Sequence, residues 1–191
     1  EYEGGRLVKY EILPGDMATN YDDVPFYRYA DVLLKKAECL LRLGGYKGET
    51  EQDAADLVTQ VRARNFKSNP AKAVRTVAQL KGGSNYPYGH RENRNEMGKN
   101  DPTKIFNEIE GGADIELGGL LDERAWEFGG EYVRSQDLIR FKMTNGQNVY
   151  NGKSWFCKPR VTDVSDNHLN IFPIPKEAIE GNVKLKQNPG Y

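Results

Sequence analysis

Apolar residues recur at three- and four-residue steps in three stretches of this chain, each of which predicts a helix, and a fourth helix is expected from a run with apolar positions of its own. In the first, 25–43, Phe26, Tyr29, Leu33, Ala37, Leu40 and Leu41 form one stripe; Pro25 suits the first turn and Gly44-Gly45 is the stop. The second, 51–65, places Ala54, Ala55, Val58, Val61 and Arg62 on one side. The short link at 44–50 predicts antiparallel neighbours, a helical hairpin. The third, 117–130, carries Leu117, Leu121, Ala125 and Phe128, with Gly129-Gly130 ending or bending it. Trp126 falls off that stripe and reads as interhelical packing. The fourth, 131–142, carries Val133, Leu138, Ile139 and Phe141.

Elsewhere the periodicity fades. Residues 6–12 alternate weakly and predict a short strand or extended entry. A short helix is expected at 71–80 and a single turn at 176–180. The excursions 66–112 and 145–169 are polar and rich in Gly and Asn, and long loops in compact domains are usually functional or disordered. Pro173 and Pro175 forbid a regular helix at the start of the tail.

At 191 residues, one compact unit with one sizeable core is the default. The 27 basic and 28 acidic residues leave a net charge of −1, which provides neither a nucleic-acid footprint nor a polybasic membrane signal. Mean hydropathy is low, −0.75, but the Leu, Ile, Val and aromatic content argues against global disorder. No apolar run approaches the roughly 20 residues that a membrane-spanning helix needs. The chain opens on Glu1-Tyr2-Glu3, not on a start methionine or a signal peptide, so a piece of a longer protein is expected.

Cys39 and Cys157 are too few for a disulfide framework or a metal quartet; buried inert thiols are the favoured reading, with a single bridge as the alternative. His90 and His168 lie in no metal-binding frame, and the paired glycines follow no strand and carry no phosphate-cradling lysine. No cofactor and no metal is expected.

The densest chemistry lies in 120–141, where Glu123, Arg124, Glu127, Glu131, Arg134, Asp137 and Arg140 are spaced mainly at three- and four-residue steps. Residues so spaced are surface neighbours on a helix, so each carboxylate has a cation within reach. One reading is catalytic, with Glu123 and Glu127 as a glycosidase acid and base. The favoured reading is a structural ion-pair network. Alternating acids and arginines satisfy one another, whereas acid–base catalysis needs carboxyls whose pKa values are held apart.

The loop aromatics invite the opposite treatment. Flat rings with a polar tip match the C–H faces and hydroxyls of sugars. Tyr86, Tyr88, His90 and Arg91 form one candidate ligand-binding cluster, with Asn85, Asn93 and Arg94 nearby. Tyr150, Trp155 and Phe156 form a second, with Asn148 and Asn151. Packing beneath a loop as a small satellite core is the alternative for both.

Several of these segments together resemble the SusD/RagB family of outer-membrane nutrient-binding lipoproteins from Bacteroidetes-type bacteria. Glu123-Arg124, Glu127-Phe128, Glu131, Arg134 and Asp137-Leu138-Ile139-Arg140 look like its ER..EF..E..R..DLIR signature. Phe172-Pro173-Ile174-Pro175, followed by Gln187-Asn188-Pro189-Gly190-Tyr191, looks like its C-terminal ending. Arg28-Tyr29-Ala30-Asp31-Val32-Leu33-Leu34 with Ala37-Glu38 is similar to its RYADVLL..AE helix, and Val61-Arg62-Ala63-Arg64 to its N.VR.RA segment. Tyr132 departs from the pattern, since the family commonly has Gly after the acid. Members are also usually longer, and these motifs belong to their C-terminal half.

The resemblance implies a mainly α fold of tetratricopeptide-like helix hairpins with long irregular loops. It implies a non-catalytic protein, a surface-exposed lipoprotein of the outer membrane. Such a protein captures polysaccharides or oligosaccharides for a SusC-like TonB-dependent transporter, anchored by a lipid upstream of Glu1. Two other functions stay open from the residues themselves: a tetratricopeptide-like scaffold for a protein partner, and a carboxylate-dependent glycoside hydrolase.

Overall fold

The computed structural model describes residue 9 and residues 25–90, 108–153 and 168–191. The strand expected at 6–12 lies outside the described residues apart from Lys9, as does Cys157. The chain is mainly helical. It divides into two compact units where one was expected: Glu1–Asn85 with Leu117–Arg134, and Tyr86–Glu116 with Ser135–Tyr191.

The first unit is built on a helical hairpin, α1 (Tyr29–Leu43) and α2 (Glu51–Ala63). Helix α1 starts later than the stripe suggested, because Arg28 is extended (φ −119°, ψ 154°). Phe26 and Tyr29 are therefore exposed, while Ala30 and Leu34 join Leu33, Ala37, Leu40 and Leu41 inside. Gly44 closes the helix in the left-handed region (φ 68°), its N–H donating to Leu40 O. Tyr46 and Glu49 then exchange backbone hydrogen bonds of 2.8 and 3.0 Å around Lys47-Gly48, which reverses the chain. Thr50 and Asp53 form a reciprocal capping box that starts α2. Ala37, Ala54, Ala55 and Val58 are all fully buried, and these small residues let the two helices approach closely. Cys39, expected inside, is instead an exposed free thiol, because it falls between the inward positions Ala37, Leu40 and Leu41.

The single helix expected at 71–80 is two pieces. Pro70–Ala73 is a 3-10 turn, and α3 (Val77–Lys81) begins after it. Thr76 and Gln79 make a second capping box that restarts the helix after the extended Val74. Helix α4 (Gly118–Glu127) packs on α3 almost backbone to backbone. A Cβ on Gly118 would lie 2.0 Å from Ser84 N, and one on Gly119 would lie 2.0 Å from Gln79 O. Only glycine permits that approach.

In the second unit, part of the expected 66–112 loop is a two-residue antiparallel ladder, β1 (Gly89–His90) with β2 (Glu108–Ile109), Gly89 opposite Ile109. Helix α5 (Arg134–Arg140) is shorter than the 131–142 stretch, and one-turn α6 (Val149–Gly152) stands where loop was expected. Asn148 caps α6, its Oδ1 accepting from Asn151 N at 2.8 Å. One-turn α7 (Lys176–Gly181) matches the turn expected at 176–180.

The tail explains the two C-terminal motifs physically. The Gln187 amide makes a two-bond clamp on the Ile174 backbone, accepting from its N at 2.8 Å and donating to its O at 2.9 Å. Asn188 Nδ2 donates to Phe172 O, and Tyr191 Oη to Ile171 O. The ending thus fastens the proline-punctuated segment that precedes it.

Candidate functional site

The charged block of α4 lies against the hairpin of the same unit. Glu123 is buried and accepts from Arg62 Nη1 at 2.6 Å and from Arg75 Nε at 2.5 Å. Arg124, 2% exposed, donates from Nη2 to Asp31 Oδ1 at 3.0 Å, and its guanidinium lies 5.1 Å from the Phe128 ring. Glu127 meets Arg28 at 2.9 Å and Arg64 at 2.5 Å. Glu131 meets Arg28 Nε at 2.6 Å and also the Lys9 ammonium. Arg134 Nη1 donates to Leu121 O at 3.3 Å. In the second unit, Asp137 accepts from Arg140 at 2.7 Å, a pair three residues apart.

The source of these cations differs from what helical spacing suggested. Arg28, Arg62, Arg64, Arg75 and Lys9 all come from other segments of the chain, so the pairs tie segments together rather than decorating one helix.

The electrostatics follow from burial and pairing. Hydrogen bonding to Glu131 raises the Arg28 pKa, against the cost of burial. Burial works against ionised Glu131, but hydrogen bonds from Arg28 and Lys9 outweigh it and hold its carboxyl below the usual range. Asp31 behaves alike: burial is overcome by Lys35 and Arg124. Asp122 goes the other way. Burial pushes its carboxyl up, and bonds from Ser84 Oγ (2.5 Å) and Asn85 N (2.7 Å) offset this only in part. Glu123 and Glu127, the carboxylates of the hydrolase reading, are each bound by two guanidinium groups. That geometry fastens helices; a general acid needs a carboxyl placed to give its proton to a leaving group.

Of the loop aromatics that the structure describes, two are core rather than open. Tyr88 is 0% exposed and packs edge-on against Tyr86, ring centroids 5.0 Å apart. Its backbone oxygen takes the Glu110 N–H at 2.7 Å, so the residue is core beside the ladder. Tyr86 keeps part of its ring exposed. His90 contributes its backbone to β1, and Arg91 lies outside the described residues together with Asn93 and Arg94. Tyr150 is buried on α6, while Trp155 and Phe156 lie outside the described residues. Alternating aromatic and polar letters marked these loops; whether a ring faces inward was decided by pairing that the letters do not encode.

Trp126 reverses its expected role. It is 56% exposed, not packed between helices. A cavity of about 210 Å3 opens on Leu34, Val58, Val61, Asn65, Phe66 and Trp126. A second, about 110 Å3 and mostly polar, is lined by Arg75, Gln79, Asn85, Asp122, Glu123 and Trp126. The two share Glu123 and the indole. The arginine groups of Arg62 and Arg75 each sit 6.0 Å from that ring. The missed signal was modest: a tryptophan off the apolar stripe of a helix has to pack on a third element or stay open, and here it stays open.

A helical hairpin tied by arginine–carboxylate pairs to a glycine-led helix, with a clamped C-terminal tail, defines the class. The model of the SusD family matches residues 6–191, and the chain belongs to that family. The chain is also similar to the starch-binding protein SusD of Bacteroides thetaiotaomicron. The two are 26% identical over 170 residues, a match that covers 88% of this chain and 22% of that protein. The chain thus spans less than a quarter of the length of this curated relative. No solved structure matches the chain.

Proposed function

We propose that this chain is the helical C-terminal portion of a non-catalytic glycan-capture protein at the outer-membrane surface. It holds oligosaccharides or polysaccharides for a TonB-dependent transporter. The observation that carries this reading is family membership over nearly the whole chain, together with similarity to a starch-binding protein. The double guanidinium pairing of Glu123 and Glu127 supports it, because it commits to structure the carboxylates that a hydrolase would use.

The test is native affinity electrophoresis of the chain in gels containing amylopectin, xylan, galactomannan, mixed-linkage β-glucan or homogalacturonan, with reducing ends assayed in parallel. Retarded migration without new reducing ends is the expected result. Release of reducing ends would favour the hydrolase. Unretarded migration in every gel, combined with tight association with the transporter, would favour the protein scaffold.

A further inference from the structure

We infer that Trp126 is a stacking platform for one ring of a neutral glycan, its indole lining both the apolar cavity and the polar one. This inference rests on the glycan-capture reading above.

Burying a tryptophan is among the larger apolar gains open to a fold. Here that gain is partly forgone, since more than half of the side chain is open. The ring is nonetheless held against fixed groups. The guanidinium carbons of Arg62 and Arg75 lie over it, each 6.0 Å from its centroid, and both side chains are anchored on Glu123 at 2.6 and 2.5 Å. An exposed ring already flanked by fixed groups loses less freedom when a ligand lands on it.

The two cavities suit the two sides of a pyranose. Half-buried Phe66 presents apolar surface to C–H groups, with Val58 and Val61, nearly closed to solvent, as the floor behind it. Asn85 carries an exposed amide able to donate and accept, and Gln79 adds its Nε2 as a donor, its Oε1 being held by Thr76 N at 2.9 Å. A partner's Phe or Leu side chain would leave those amides unmatched. Pockets for drug-sized ligands run about 300–1,000 Å3; at about 210 Å3 the larger cavity holds one ring and not a cofactor.

Charge selects against acidic sugars. All three Arg62 nitrogens are committed, Nε to Ala73 O, Nη1 to Glu123 and Nη2 to Lys72 O. Asp122, Glu123 and Glu127 line the same cavities, so a uronate would meet three carboxylates against the two guanidinium groups of Arg62 and Arg75.

The experiment uses the full chain. The sequence has two tryptophans, so Trp155→Phe leaves Trp126 as the only indole reporter. Saturable change of its emission is expected with oligosaccharides of whichever neutral polysaccharide retards the protein. Trp126→Ala should weaken that retardation about tenfold, Trp126→Phe should retain most of it, and Asn85→Ala should weaken it about threefold. Circular dichroism checks that each variant is folded; should Trp126→Ala fail to fold, Asn85→Ala and the emission titration decide. Wild-type retardation that Trp126→Ala leaves unchanged, a flat Trp126 emission, or retardation by homogalacturonan alone overturns this inference and leaves glycan capture standing. Unretarded wild-type protein in every gel overturns both.

Discussion

Arg124 carries a buried guanidinium, 2% exposed, that meets both Asp31 and the Phe128 ring. Removing one partner of a buried pair costs about 3–5 kcal/mol when the other is left uncompensated; Asp31 would keep Lys35 at 2.6 Å, which sets the expectation at the low end. Arg124→Ala is therefore expected to lower the unfolding free energy from urea denaturation by about 3 kcal/mol; a loss under about 1 kcal/mol would sink the idea. The carboxylates give opposite pH slopes. Asp31 and Glu131 have lowered values in the folded chain, so their stabilisation is full above the unfolded values of about 3.9 and 4.3 and is lost as pH falls through the folded ones. Asp122 has a raised value, so it costs stability as pH rises from about 3.9 through its folded value. Asp122→Asn should match wild type near pH 4 and gain on it toward pH 7, read from thermal melts across that range. A difference that stays constant with pH would refute the assignment. Leu33, Leu40 and Leu121 could be placed inside from periodicity alone. The partners of Glu123 and Arg124 could not, because spacing names neighbours on one helix while these partners arrive from α1, α2 and the segment before α3.

Elements meet here through glycine. The Gly119 Cα sits where an added Cβ would strike Gln79 O at 2.0 Å, and a backbone atom cannot rotate away. Overpacking costs about 1–3 kcal/mol where the surroundings give a little, and here both sides are main chain. Gly119→Ala is expected to cost at least that in chemical denaturation. Gly82→Ala is the control, because its Cβ would lie 3.3 Å from Ala78 O and its φ is −66°; equal losses from the two would contradict the packing argument. The link between α4 and α5 gives the reverse case. Tyr132 adopts φ 62° with its side chain in solvent. Left-handed backbone costs an L-residue about 1–2 kcal/mol, and glycine gives back about 0.5–1 kcal/mol in chain entropy. Tyr132→Gly should therefore stabilise the protein by about 0.5–1 kcal/mol, visible as a higher melting temperature, whereas a lower one would count against strain at this link. The departure from the family's glycine was visible as a letter; its physical meaning needed the dihedral angle.

At the scale of the molecule, the chain passes between its two units at residues 85–86, 116–117 and 134–135, so neither unit is one continuous stretch. Hydropathy periodicity reports the local face of each helix and carries no record of such exchanges, which is why one unit was expected. The order of four motifs did establish the family, because each motif marks a contact that the fold requires: the hairpin helix, the arginines after it, the charged helix and the clamped tail. By itself the sequence determined the mainly helical class, the hairpin and the family, since these depend on local periodicity and on residues repeated in a set order. Only the tertiary structure decided which polar and aromatic side chains are spent on folding and which remain open. Tyr88 went inside, Cys39 and Trp126 stayed out, and the acids of α4 found cations from distant segments. Burial of a side chain is set by what packs against it from elsewhere in the chain, and no local pattern specifies that.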